Sequence, residues 1–163
     1  MNKEKRITLP EAQEQFAKSI YNRIWGLLEK KDRTPSGDED LLLSAYASLY
    51  HWKIIGTVIN LQRGYWMLSR VYQTLNQVEQ ALEWALKCQE ITEENSAEME
   101  DFDLAFAREG LARAFALAGD LDQARENYDL AAELGKIIKD PEDQQVFMKD
   151  FNSGNWYELT RSK

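Results

Sequence analysis

The sequence is poor in the residues that break or cross-link a chain. Its 163 residues include only 3 prolines, 8 glycines, 1 cysteine and 1 histidine. Scarce proline and glycine disfavour a fold of many short strands joined by tight turns and favour long helices. A single cysteine, Cys88, cannot form an internal disulfide, so nothing points to an oxidising compartment. No apolar run approaches the roughly 20 residues of a membrane span. The opening MNKEKRITLPEAQEQF has no apolar core of the kind a signal peptide needs. Cytoplasm is therefore the expected location, with no membrane partner. Positive charge is also in deficit: 20 Lys and Arg stand against 28 Asp and Glu, giving a net charge of -8. Such a chain is repelled by phosphate backbones, so nucleic acid is not an expected partner. The acidity keeps the chain soluble or answers a basic partner.

Catalytic signatures are missing as well. There is no Gly-rich phosphate loop, no G-x-S-x-G, no H-E-x-x-H and no C-x-x-C. No Glu-x-x-His pair of the di-iron bundles occurs either. His51 lacks an evident nucleophile or orienting partner, and its neighbours Tyr50 and Trp52 suit a packed hairpin. A cryptic enzyme using His51 is the least favoured reading; the expectation is no enzyme, no cofactor and no metal. Cys88 falls on an inward small-residue position and reads as an inert buried thiol. The acidic run through Glu93, Glu94, Glu98, Glu100, Asp101 and Asp103 lacks the Asp-x-Asp-x-Asp-Gly loop of a calcium site and reads as a solvated connector.

What is present is helical patterning. Apolar Phe16, Ile20, Ile24 and Leu27 recur at helical spacing after Pro10, predicting a first helix to about Lys31. Residues 32–40 hold Pro35, Ser36 and Gly37 and read as a loop, with a second helix from about Asp38 to Gly56. Thr57 is placed to cap a third helix through its hydroxyl, over about 58–75. A break at Asn76 and Gln77 leads into a fourth helix ending near Glu93. Asn95 followed by Glu98 fits a capping box and predicts the start of a fifth helix. Gly119 and Asp120 make a turn into a sixth, over about 121–138. Asp140 followed by Pro141 opens a last helix to about Phe151. Seven helices with short connections and no strand signal make an all-α antiparallel array.

The chain also resembles itself. Leu68-Ser69-x-x-Tyr72 aligns with Leu111-Ala112-x-x-Phe115, and each is followed twelve residues after its small residue by alanine, Ala81 and Ala124. Seven residues further stand Cys88 and Ala131. A small residue on one helix lets the next approach closely, and an aromatic beside it fills the space. One such hairpin cannot bury its apolar face alone, so hairpins stack.

These residues resemble the tetratricopeptide repeat, whose consensus is W-x2-L-G-x2-Y…A-x3-F…P. The first copy reads Tyr65-x2-Leu68-Ser69-x2-Tyr72…Ala81-x3-Ala85; the second reads Arg108-x2-Leu111-Ala112-x2-Phe115…Ala124-x3-Tyr128. The copies are 43 residues apart, from Ser69 to Ala112, where the family has about 34. Neither has the closing proline; Glu93 and Lys136 stand there. The resemblance implies a short right-handed superhelix of helical hairpins in one domain over 1–163. Within it, 10–55 is a degenerate hairpin, 57–95 and 96–138 are repeats, and 140–153 is a capping helix. Ala47, 22 residues before Ser69, marks the close crossing of the degenerate hairpin.

The resemblance further implies an interaction module that holds a protein or peptide on the concave face, formed by the first helix of each hairpin. That face should carry Arg63, Trp66, Arg70 and Gln73 in the first copy and Phe106, Glu109 and Arg113 in the second. Arginines with a tryptophan suit a carboxylate or an aromatic-containing peptide. They can equally pair with the protein's own acids. The Lys and Asn positions of the chaperone-binding subtype hold Trp66, Met67 and Arg70, then Glu109, Gly110 and Arg113, so chaperone binding is not implied. A regulator sensing a short peptide or small molecule is the alternative reading. Phe147, Phe151, Trp156 and Tyr157 are expected to cap the last hairpin, or else to mediate a homodimer.

Overall fold

A computed structural model describes residues 6–159 of the chain. Its seven helices are α1 (Leu9–Leu28), α2 (Pro35–Ile55), α3 (Val58–Thr74), α4 (Val78–Glu94), α5 (Asp101–Ala118), α6 (Leu121–Lys136) and α7 (Pro141–Phe151). No strand occurs among the described residues. The fold is all-α and built of helical hairpins of the tetratricopeptide type: α1 with α2, α3 with α4, α5 with α6. Neighbouring hairpins stack through α2 on α3 and α4 on α5, and α7 lies against α5 and α6. No described helix is long and apolar enough to cross a membrane.

Three helix ends differ from the sequence expectation. The first helix stops at Leu28 rather than near Lys31. The second begins at Pro35, not Asp38, because Thr34 caps it, its hydroxyl accepting the Gly37 N–H at 3.2 Å. A proline after a threonine reads as a loop, yet its missing N–H and fixed φ suit the first helical turn equally well. The fifth begins at Asp101, not at Asn95. Asn95 instead terminates α4, its side-chain amide donating to the Ile91 carbonyl at 2.9 Å. Glu100 precedes α5, and its N–H donates to the Asp103 carboxylate at 3.2 Å. At α3 the closing group is Asn60, whose side-chain oxygen accepts the Thr57 N–H at 2.9 Å.

The two repeat copies are equivalent in backbone detail. Asn76 and Gly119, 43 residues apart, both adopt positive φ, +56° and +81°. The next N–H reaches back five residues in each: Gln77 to the Tyr72 carbonyl at 2.9 Å, Asp120 to that of Phe115 at 3.0 Å. That bond closes a helix C-terminus whose carbonyls otherwise lack donors. Ser69, Ala81, Ala112 and Ala124 are fully buried, and the Ser69 hydroxyl donates to the Ala81 carbonyl at 2.8 Å. The small residues thus sit at the helix crossings. In the first hairpin the crossing is made by Ala17 and Ser48, whose hydroxyl donates to the Ala17 carbonyl at 2.9 Å. Ala47, expected there, is one position off and only partly covered.

A line of rings joins the first helices of successive hairpins. Trp25 of α1 lies 5.7 Å from Trp66 of α3, Trp66 5.2 Å from Phe106 of α5, and Phe106 5.0 Å from Phe147 of α7. Tilted and edge-on pairs at this range each add about 0.5–1.5 kcal/mol beyond area burial. Phe147 enters a notch on α6 that exists because residue 135 is glycine. A Cβ there would stand 2.2 Å from the Phe147 Cε1.

Candidate partner-binding face

The face expected from the sequence lies on α3 and α5. In the repeat register Trp66 stands opposite Glu109, and Arg70 is the counterpart of Arg113. Stacking brings these equivalent positions into contact. Glu109 is fully buried. Its Oε1 accepts from Arg70 Nη2 at 2.8 Å and from Arg113 Nε, and its Oε2 accepts from Trp66 Nε1 at 3.1 Å. Burial alone would push the Glu109 carboxyl up; the two guanidiniums and the indole N–H outweigh it and hold it below the usual carboxylate range.

The other residues extend this centre. Gln73 is buried, donating to the Gly110 carbonyl at 3.2 Å and to Ser69 at 3.0 Å. Phe106 is buried between Trp66 and Phe147. Arg63 lies at the rim, paired with Asp103 at 2.7 Å and Glu100 at 2.9 Å, with Phe102 beneath it at 5.8 Å. All seven sequence-named residues therefore lie on one α3/α5 surface, and its three arginines all pair with the chain's own carboxylates.

The face is covered from outside by α7 and the segment after it. Asp150 of α7 meets Arg70 at 2.6 Å. Burial and the nearby Glu109 charge raise the Asp150 carboxyl above its usual range despite that contact. Arg113 is 2% exposed. Its Nη1 donates to the Asn155 carbonyl at 2.8 Å; its Nη2 donates to those of Asp150 and Ser153 at 2.9 and 3.0 Å. Trp156 stacks on the guanidinium at 4.0 Å and packs against Tyr128 and Phe151. The Tyr157 hydroxyl reaches the Gln73 carbonyl at 3.4 Å. Arg113 thereby closes the C-terminal end of α7, where helix carbonyls carry partial negative charge and no intrahelical donor.

Phe147, Phe151 and Trp156 are buried within the chain, Phe147 against Phe106 of α5 and the other two against Tyr128 of α6. The sequence reading did not single out Asp103 or Asp150 as partners of the arginines. The only hint at Asp150 is a carboxylate set within an aromatic C-terminal stretch.

The remaining candidates are packed into the scaffold. His51 pairs through Nδ1 with the Gln13 side-chain oxygen and lies 5.5 Å from the Phe16 ring. Cys88 is buried, and burial pushes its thiol up to about 12, against the pull of Thr92. Such a thiol carries almost no thiolate at neutral pH and is a poor nucleophile. Among the described residues, no group of three or more His, Cys, Asp and Glu could hold a metal ion.

No curated protein and no solved structure matches the chain. Residues 62–95, most of α3 with all of α4, match the family model of the tetratricopeptide repeat. Over those residues the chain is a tetratricopeptide-like helical repeat.

Proposed function

We propose that this chain is a cytoplasmic protein-interaction module, without catalytic activity or nucleic-acid binding, that holds a segment of a partner protein on the α3/α5 face. One observation carries the reading: that face already holds a chain segment, and holds it largely through main-chain groups. Arg113 donates to three carbonyls of residues 150–155, and Arg70 takes a carboxylate. Main-chain recognition by a fixed fork of donors does not depend on whose chain supplies the carbonyls. The family match supports the same reading, because hairpin stacks of this type expose broad surfaces suited to binding.

Site-directed photo-crosslinking in cells tests it. Benzoylphenylalanine at Phe102, on the rim beside Arg63, is expected to capture a partner protein, whereas the same probe at exposed Leu86 on α4 is not. Capture from Leu86 with none from Phe102 would place the interaction on the other surface.

A further inference from the structure

The residues that bind the C-terminal segment also define what would replace it. We infer that residues 150–159 are a built-in stand-in for the partner, which is therefore an acidic-aromatic segment. Such a segment ends a helix with a carboxylate and carries a tryptophan about six residues later. This inference rests on the α3/α5 face being the binding site.

Three observations support it. First, the middle of the segment lies outside the core. Phe147 and Phe151 anchor α7, but residues 152–155 are exposed, and beyond them Trp156 and Leu159 are the buried side chains. Second, the backbone of the segment is strained at Tyr157, a non-glycine residue with φ +55°. Positive φ costs an L-residue free energy that only surrounding contacts offset. Third, the fit is incomplete. Arg70 Nε is buried and has no acceptor among the described residues, although Arg70 Nη2 serves both Glu109 and Asp150. Buried donors are rarely left unpaired. A partner carboxylate reaching Nε as well as Nη2 would satisfy the fork side-on and outcompete Asp150.

The chemistry of the occupant follows from the seat. The Arg70 end takes a carboxylate, the Arg113 fork takes carbonyls at the end of a helix, and the space beside Tyr128 takes a phenyl ring and an indole. The indole N–H donates to the Phe151 carbonyl at 3.1 Å, so it needs a helix-end carbonyl of its own segment. A lysine-rich segment would place like charge against two arginines and is not accepted.

The test uses the full chain and a fluorescent peptide with the sequence of residues 149–159. Two variants loosen the segment: Trp156→Ala, and Gly154→Val. The latter sets a branched side chain at positive φ, with its Cβ 3.0 Å from Arg113 Nη1. Limited proteolysis should cut either variant within 152–156 while helicity stays unchanged. The peptide is expected to bind such a variant at least tenfold more tightly than wild type. Replacing its Asp or its Trp by Ala should weaken binding by at least tenfold. If either variant is cut but binds no peptide, the proposed partner chemistry is wrong, while crosslinking from Phe102 still judges the face independently. If neither is cut, the segment is a fixed part of the core and the inference fails. Light scattering that showed wild-type dimers with exchanged segments would assign the seat to a second copy and overturn it too.

Discussion

Glu109 is the residue on which the candidate face depends. It is fully buried, and three side chains that would otherwise be buried donors or cations converge on it. Replacing such a pair by a well-packed apolar set is often neutral, but removing one partner strands the other in low dielectric. The Glu109→Gln substitution keeps the shape and removes the charge from between Arg70 and Arg113. It should cost about 3–5 kcal/mol of stability at pH 7, measured by denaturant unfolding. A loss under about 1 kcal/mol would mean that Asp150 and the carbonyls satisfy both arginines without Glu109. Arginine in the sequence is ambiguous for the same reason. Three arginines on one face of two neighbouring helices look like a receptor for a foreign anion until their partners are located. Asp103 lies 40 residues from Arg63 and Asp150 lies 80 from Arg70, so no local pattern links them.

At the scale of elements, helix number, order and hairpin pairing were legible because each rests on short-range physics. Periodic apolar positions, Gly119 with Asp120, and Asp140 with Pro141 all act within one or two turns. The misplaced starts of α2 and α5 have a different origin. Thr34-Pro35 and Asn95…Glu98 each carry two compatible local readings, and tertiary context decides between them. At α5 that context is Arg63, which ties down Asp103 and with it the first turn. The notch that seats Phe147 was hidden for a similar reason, since it is a gap on α6 that only packing creates. That gap makes a prediction whose sign is informative. In wild type, Gly135→Ala forces a Cβ against the Phe147 ring and should destabilise by about 1–3 kcal/mol, as overpacking does. In a Phe147→Ala background the clash is gone, and the same substitution should be neutral or stabilise by up to about 1 kcal/mol through helix propensity. Unfolding of the four species in a double-mutant cycle checks this. Equal effects of Gly135→Ala in both backgrounds would show that Phe147 does not occupy the notch.

For the whole molecule, the stack of hairpins and the segment that closes it are joined by one charge network, and its response to acid follows from two carboxylates shifted in opposite directions. The Glu109 carboxyl in the folded chain lies below its reference value of 4.5. Its contribution is complete above that value and is lost as the pH falls through the lower, folded one. Asp150 lies above its reference value of 3.8, held up by burial and by Glu109. Its contribution runs the other way: it is present below 3.8 and is lost as the pH rises through the raised value. On acidification, proton uptake by Asp150 relieves repulsion next to Glu109, whereas proton uptake by Glu109 releases both arginines. Unfolding free energy measured from pH 7 to pH 3 should accordingly fall less than the loss of Glu109 alone would make it. The Asp150→Asn variant should lack this offset and fall more steeply. In Glu109→Gln the fall should be shallower, starting from a lower plateau. Parallel curves for the three proteins would show that this network does not set acid stability. A fall in Asp150→Asn coinciding with release of the Trp156 fluorescence signal would tie the loss to the C-terminal segment leaving the α3/α5 face before the hairpins themselves unfold.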